Sequence, residues 1–537
     1  MATLNTSPEI SAGPGASDRK LAATVGKSAL FGVLATAAQI GSRLISVPIV
    51  IHYLGLGGYG IWSIIMVTAG YMRFGSAGVK CAFQKYVAEA TGDGDFDRAN
   101  KLVSTGAFVL LALSALGLIP AAVFSQRIAE MSGVPAAFLP ATSASIRTLA
   151  CMYVIANFGS AFEAIVMGVH RIDLTRKCNT ILTMCEAAGT VLLLHWGYGL
   201  LAMTLVMCAS EAIFICFCYF ASRHVAPQVR VGLKYFTSSV FPELVRFAGS
   251  YQLLNVLELV YMAILPLLVL KHLGAEAAGT FAVASRVVTS ALIAQDALVL
   301  PILSAGTMVF ASGDTGRAKL LLAKSFKATV AAAVPPLAFV SVFGATMVAA
   351  WTGDANPLFR TALWLVALSG LLKAISVLQL VLYRASGKAL LDNVRQALRI
   401  VVILIVGLRA ASLGFAGLLA GMALADLIGV VFMFVAMAAT FHGFNAKLVV
   451  KDTLKISAAT ALIIGAGALC GMLPVPLVGN ERMAALLRLA TIGVGCLAAA
   501  GPAVILTQAM SLAERRVVRD TVYGWRNRFL RFSRAAA

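Results

Sequence analysis

Charge is what this sequence has least of. Only 12% of its 537 residues are Asp, Glu, Lys or Arg, whereas 60% are hydrophobic and the mean hydropathy is +0.89. A soluble domain is about half apolar and about a quarter charged, so this composition excludes one and points to a polytopic membrane protein. Acids are the scarcer sign, 23 against 43 Lys and Arg. A Walker loop is missing, which excludes direct drive by ATP. The six histidines and nine cysteines show no metal-ligand spacing. Cys216 and Cys218 are one residue apart, and most of the other cysteines read as small apolar fillers. No cleavable signal peptide is expected: the first 18 residues are rich in Ser, Ala, Gly and Pro, and the first apolar run starts late and is long. No stretch is left over for a soluble catalytic domain, so neither an enzyme nor a cofactor is expected.

What is present is a duplication. The stretch from Arg43 to Lys101 returns 219 positions later without a gap. Leu54-Gly55 becomes Leu273-Gly274, Gly60 becomes Gly279, Gly94-Asp95 becomes Gly313-Asp314, and Arg98-Ala99 becomes Arg317-Ala318. Each copy holds two long apolar segments joined by a glycine-containing turn, then a short charged loop. Internal duplication of this kind in a membrane protein points to transport.

Spanning a bilayer takes roughly 20 residues. The apolar segments predict an all-α integral membrane protein of about fourteen transmembrane helices, near 27–52, 59–90, 101–124, 138–169, 175–195, 198–221, 246–270, 277–311, 321–350, 358–383, 391–409, 412–440, 453–473 and 486–510. Six make an N-lobe (27–221) and six a C-lobe (246–440), with two extra spans in 441–510. An even number per repeat puts the symmetry axis along the membrane normal and the cavity between the lobes. Lys and Arg number 32 on the predicted inner side, 6 on the outer and 5 within spans. That asymmetry sets both termini in the cytoplasm and explains the basic balance without nucleic acid. Residues 1–26 are expected to be a disordered cytoplasmic N-terminus. The linker 222–245 is expected along the inner surface. The tail 511–537, with Val518, Val522, Trp525, Phe529 and Phe532 at helical spacing and seven arginines, reads as an interfacial helix on anionic lipid, or as a partner-docking helix.

Charge at mid-bilayer costs roughly 3 kcal/mol on insertion scales, so it needs water or a partner. Thr36, Gln39, Arg43 and Ser46 share one face of span 1; Trp62, Arg73, Ser76, Lys80 and Gln84 share one face of span 2. Arg43, Arg73, Arg147, Arg286 and Lys373 are the five deep cations, and a cavity they line would attract an anion. Pairing with acids, or snorkelling, is the alternative, and the better one for Lys80 and Lys85. Glu163, Glu186, Glu211, Glu258, Asp296 and Asp426 are the buried acids. They are either counter-ions or carriers of a coupling proton or sodium ion, with Asp296 and Glu258 preferred for coupling. The run from Gly92 to Asp97 lacks calcium-loop spacing and reads as a cytosolic hinge.

The motifs at Pro48–Trp62 (Pro-x-Val, then Tyr-Leu-Gly and Tyr-Gly-Ile-Trp), Gly70–Gly78, and Val87–Asp95 (Val-Ala-Glu-Ala-Thr-Gly-Asp-Gly-Asp) resemble those of the polysaccharide transporter (Wzx-type) flippases, in the multidrug/oligosaccharidyl-lipid/polysaccharide exporter superfamily. The resemblance is tightest over 27–105. At the second Gly-Tyr this chain departs from the usual acidic and small residues with Met72-Arg73-Phe74-Gly75-Ser76. The resemblance implies movement of an undecaprenyl-diphosphate-linked oligosaccharide across the bacterial inner membrane, for exopolysaccharide, capsule or O-antigen, by alternating access. It implies membrane lipids as surroundings, H+ or Na+ as possible coupling ions, and polymerase machinery as possible partners. Gln39 and the five deep cations are the expected substrate-binding residues. A multidrug efflux carrier is the alternative within the superfamily, and its cavity should be acidic. A glycan polymerase or ligase generally needs a large outer loop, and none is present. A purely structural scaffold would leave the arginine-bearing stripes unexplained.

Overall fold

The computed structural model describes residues 16–73, 77–169, 171–312, 314–385, 390–440, 446–474, 481–511 and 515. Within a bilayer every backbone N–H and C=O has to be satisfied internally, so long apolar runs fold as helices. Among the described residues there is no strand. The helices are α1 (Ala16–Arg73), α2 (Ala77–Asp93), α3 (Phe96–Val123), α4 (Ser125–Met131), α5 (Leu139–Gly168), α6 (Ile172–His195), α7 (Gly199–Val225), α8 (Phe241–Ala291), α9 (Ile293–Asp296), α10 (Val299–Ala311), α11 (Thr315–Thr352), α12 (Leu358–Ala385), α13 (Leu390–Ala410), α14 (Gly414–Thr440), α15 (Ala446–Gly471) and α16 (Glu481–Leu506). Twelve helical stretches among the described residues are long and apolar enough to cross a membrane. α13 is not one of them, because its 21 residues carry Asp392, Arg395, Arg399 and Arg409. Large side chains such as Leu113, Leu116 and Leu497 stand exposed, as lipid-facing surface does. The chain is a multi-pass membrane protein.

The duplication is legible in the backbone. Gly55 breaks α1 at φ 70°, and Gly274 breaks α8 at φ 86°, left-handed values that glycine alone adopts freely. Each break separates two helices, so the predicted spans 1 and 2 stay distinct across Gly55, as do spans 7 and 8 across Gly274. A further break at Leu292 ends α8 and interrupts the predicted span 277–311. Asp95 caps α3 by accepting from the Arg98 backbone N–H at 3.1 Å; Asp314 caps α11 by accepting from that of Arg317 at 3.0 Å. The loop read as a hinge is thus a pair of equivalent N-caps.

Contacts divide the chain into two compact units: one from the residues up to 53, 68–128 and 140–252, the other from 54–67, 129–139 and 253 onward. In the first unit, Phe83, Tyr86 and Val87 of α2 pack with Leu102, Val103 and Leu110 of α3 and Ala161, Ala164 and Ile165 of α5. The linker after α7 is laced to α3. Asn100 donates to the Gln228 carbonyl (3.2 Å) and accepts from the Arg230 N–H (2.7 Å). Ser104 bonds Arg230 and Gly232, and Thr105 bonds both backbone groups of Thr237. These buried side chains satisfy backbone groups of a segment whose own helical structure is two short 3-10 turns, Leu233–Tyr235 and Ser238–Val240.

In the second unit, Gly60 and Gly279 meet backbone to backbone. A Cβ on Gly60 would strike the Ala275 carbonyl, and one on Gly279 would strike the Leu56 carbonyl. Residue 275 is residue 56 shifted by the repeat, so the contact is reciprocal, as a local two-fold requires. α15 and α16 also approach closely at small residues: added Cβ atoms on Gly467 and Gly495 would meet Cys496 and Cys470. Residues 16–26, expected to be disordered, begin α1. Residues 1–15 and the arginine-rich tail 516–537 lie outside the described residues.

Candidate functional site

A cavity of about 500 Å³ opens within the second unit, inside the ~300–1,000 Å³ range of small-ligand pockets. α8 supplies Glu258, Tyr261 and Met262, α9 supplies Asp296, α12 supplies Ser369 and Lys373, α13 supplies Asp392, Arg395 and Arg399. Apolar wall comes from Leu265, Pro266, Phe281, Val288, Val366, Ile403 and Met422. The lining is therefore amphipathic: a mainly aliphatic wall with a strip of charge.

That strip is anchored by a buried network. Arg399 and Asp426 are 2% and 1% exposed, and form an ion pair between α13 and α14. The Arg399 Nε donates to Asp426 at 2.9 Å, and Nη1 donates to Gln396 Oε1 at 2.5 Å. Tyr261 donates its hydroxyl to the same carboxylate at 2.7 Å, and Ser369 donates to its other oxygen. The Tyr261 ring lies 3.7 Å from the guanidinium carbon, a cation–π contact. One helical turn earlier, Arg395 grips Asp392 through Nε (3.0 Å) and Nη2 (2.7 Å). Gly429 makes room for these stems: a Cβ there would stand 2.9 Å from Arg399 Cδ. With four donors on Asp426 and Arg395 matched to Asp392, both pairs are internally compensated. Lys373 is held differently. Its ammonium lies 3.6 Å from Met262 Sδ and 5.8 Å from the Tyr261 ring centroid, with Glu258, Asp296 and Asp426 as electrostatic neighbours.

Of the residues singled out from sequence, this pocket gathers Lys373, Glu258 and Asp296. Arg286 is half-buried on α8 next to lining residue Ser285, and is not part of the wall. Arg147 of α5 is exposed and belongs to the first unit. The side chains of Gln39, Arg43 and Arg73 lie outside the described residues. The lining of this pocket, which lies within one unit, carries three cations and three acids. Two of those cations, Arg395 and Arg399, fell in the inner-side count of the sequence reading, whereas the structure buries both. The signal for them was Asp392, Arg395 and Arg399 at helical spacing in an otherwise apolar segment, with Asp426 available on the next helix.

A second, smaller cavity of about 40 Å³ lies in the first unit, lined by Lys80, Asn157, Ser160, Glu163, Glu211 and Cys218 among others. Here Lys80 is not snorkelling: its Nζ is 2.5 Å from Glu163 Oε2.

A family model described as "Polysaccharide biosynthesis protein" matches residues 54–356. No curated protein matches the chain in sequence. Among solved structures, a lipid II flippase MurJ in an inward closed conformation is similar at a TM-score of 0.69 and 14% identity, over 88% of this chain and 99% of that one. A multidrug resistance MATE family transporter of the MOP superfamily, inward-facing, is similar at 0.67 and 13%, over 76% and 95%. An outward-facing multidrug resistance MATE family transporter of the MOP superfamily is similar at 0.55 and 13%, over 76% and 94%. At these identities the likeness carries the fold.

Proposed function

The chain belongs to the polysaccharide biosynthesis protein family, and on that footing we propose that it is a flippase for undecaprenyl-diphosphate-linked oligosaccharide. It works by alternating access across a bacterial inner membrane, in fourteen spans with both termini cytoplasmic. The observation that carries the reading is the pocket of the second unit. An aliphatic wall beside a charged strip suits a ligand that is part sugar, part charge and part lipid. Lys373 is the cation there without a dedicated bidentate partner, so it is assigned to the anionic or hydroxyl-rich part of the substrate. Arg43, Arg73, Arg147, Arg286 and Gln39 complete the proposed set of substrate contacts. Asp296 and Glu258 beside Lys373 are the proposed coupling acids of this unit.

The test is flipping of a lipid-linked oligosaccharide by the protein reconstituted in vesicles. Lys373→Met is expected to slow flipping strongly, with Lys373→Arg retaining part of it. Full-rate flipping by Lys373→Met at normal expression would remove the pocket from the substrate path. A second reading, a multidrug efflux carrier, draws support from the pocket's balanced charges. The two separate on one strain. Deletion should cause lipid-linked glycan to accumulate without changing drug susceptibility; the reverse pattern selects efflux.

A further inference from the structure

Two uncharged side chains in the pocket of the second unit have nothing in the protein to bond to. Most of the polar lining is already spent. Tyr261 and Ser369 give their hydroxyls to Asp426, and Thr289 gives its own to the Ser285 carbonyl at 2.7 Å. Gln295 on α9 and Ser376 on α12 also line the pocket, and each is 3% exposed. Among the described residues neither side chain has a hydrogen-bond partner. A buried amide or hydroxyl left unmatched is unfavourable, so both groups are set for something that enters the pocket.

Gln295 stands where the chain gives up a continuous helix. α8 ends at Ala291, α9 is the single turn Ile293–Asp296, and α10 begins at Val299. The turn is held by the Asp296 N–H on the Leu292 carbonyl and the Leu298 N–H on the Gln295 carbonyl, both at 3.0 Å. At membrane depth, irregular backbone is tolerated where it lines a cavity, and broken helices of transporters are where ligands are held. Leu292, Gln295 and Asp296 of this stretch all line the pocket.

The two groups and the wall beside them define the ligand. Glutamine offers an acceptor and two donors, serine a donor and an acceptor, and neither carries charge. Leu265, Val288, Val366 and Met422 give the same lining its aliphatic surface. A sugar face bearing only hydroxyls would desolvate them against that wall with no partner in return. An acetamido substituent fits better. Its methyl suits the aliphatic surface. Its amide is trans, so N–H and C=O point opposite ways and need partners on two different elements, as α9 and α12 provide.

We propose that Gln295 and Ser376 form a subsite for the acetamido group of an N-acetylated sugar. The Gln295 side-chain oxygen accepts from the sugar N–H, and the Ser376 hydroxyl donates to the acetamido carbonyl. This rests on the flippase reading and names the sugar class that the pocket takes from the lipid-linked oligosaccharide.

The test uses the full chain in nanodiscs and two probes alike in lipid and diphosphate, farnesyl diphosphate N-acetylglucosamine and farnesyl diphosphate glucose, titrated by calorimetry. The wild type should bind the acetamido probe more tightly by about tenfold or more. Gln295→Leu and Ser376→Ala should each bring that ratio close to one. Equal binding of both probes by the wild type, or binding of neither, overturns the proposal. So does a preference that survives in both variants. Gln295→Leu removes an unmatched buried amide, so it should melt no lower than the wild type; a marked drop would mean that the protein itself uses the amide, and overturns the proposal. Ser376→Ala loses only a hydroxyl and carries the binding test independently. If vesicles flip no lipid-linked oligosaccharide while the acetamido preference is present and lost in both variants, the flippase reading fails and the subsite stands. If a glycan without acetamido sugars is flipped and the probes bind equally, the flippase reading stands and the subsite fails.

Discussion

Asp426 gathers polar contacts from three helices. It accepts from Arg399, Tyr261 and Ser369, three side chains on three helices. Removing one member of a buried ion pair strands the other charge, at a cost of about 3–5 kcal/mol, whereas replacing both can be nearly neutral. Asp426→Asn is therefore expected to lower the melting temperature sharply, as read by intrinsic fluorescence in detergent. Arg399→Met combined with Asp426→Leu should recover part of the loss. Recovery should be incomplete, because Tyr261 and Ser369 would keep donors without an acceptor. If Asp426→Asn melts like the wild type, the network is not structural. Asp426 was readable as a buried acid from sequence. Its partner was counted with the inner-side charges, because Asp392, Arg395 and Arg399 at helical spacing signal a buried strip only once Asp426 is known to stand opposite.

The repeat makes its sharpest statement at the level of helices. Gly60 and Gly279 stand in a reciprocal crossing, each facing a carbonyl of the other copy. Gly60→Ala and Gly279→Ala should cost similar amounts, at least about 1–3 kcal/mol each as overpacking does, since backbone cannot rotate out of the way as a side chain can. The double variant should cost less than the sum, because separating the crossing for one methyl makes room for the other. Additive costs would argue that the crossing is not shared. The N-caps should behave oppositely. Asp95→Ala and Asp314→Ala are each expected to cost about 1 kcal/mol, and to add, because they cap different helices with no common partner. Both pairs could be aligned in the sequence at a shift of 219. That the glycines were needed for approach to a carbonyl, rather than for a turn, could not be, since close approach is a property of two segments.

For the molecule as a whole, the proposed topology predicts that a fluorescent reporter fused before Met1 or after Ala537 is active and that an alkaline phosphatase fusion at either end is silent. An active phosphatase at one end alone would break the even span count. The class of the protein, its all-helical build, its duplication and its membership of a polysaccharide family were all determined by the sequence itself. Each follows from patterns local along the chain: apolar runs too long for a soluble core, and a gapless repeat. The tertiary structure alone decided which charges are spent on one another. It withdrew Arg395 and Arg399 into pairs with Asp392 and Asp426, left Lys373 beside the aliphatic wall, and brought Lys80, Glu163, Glu211 and Asn157 around one small cavity. The sequence shows how deep in a span a charge stands; what the charge does depends on the partner opposite, and that partner is chosen by packing.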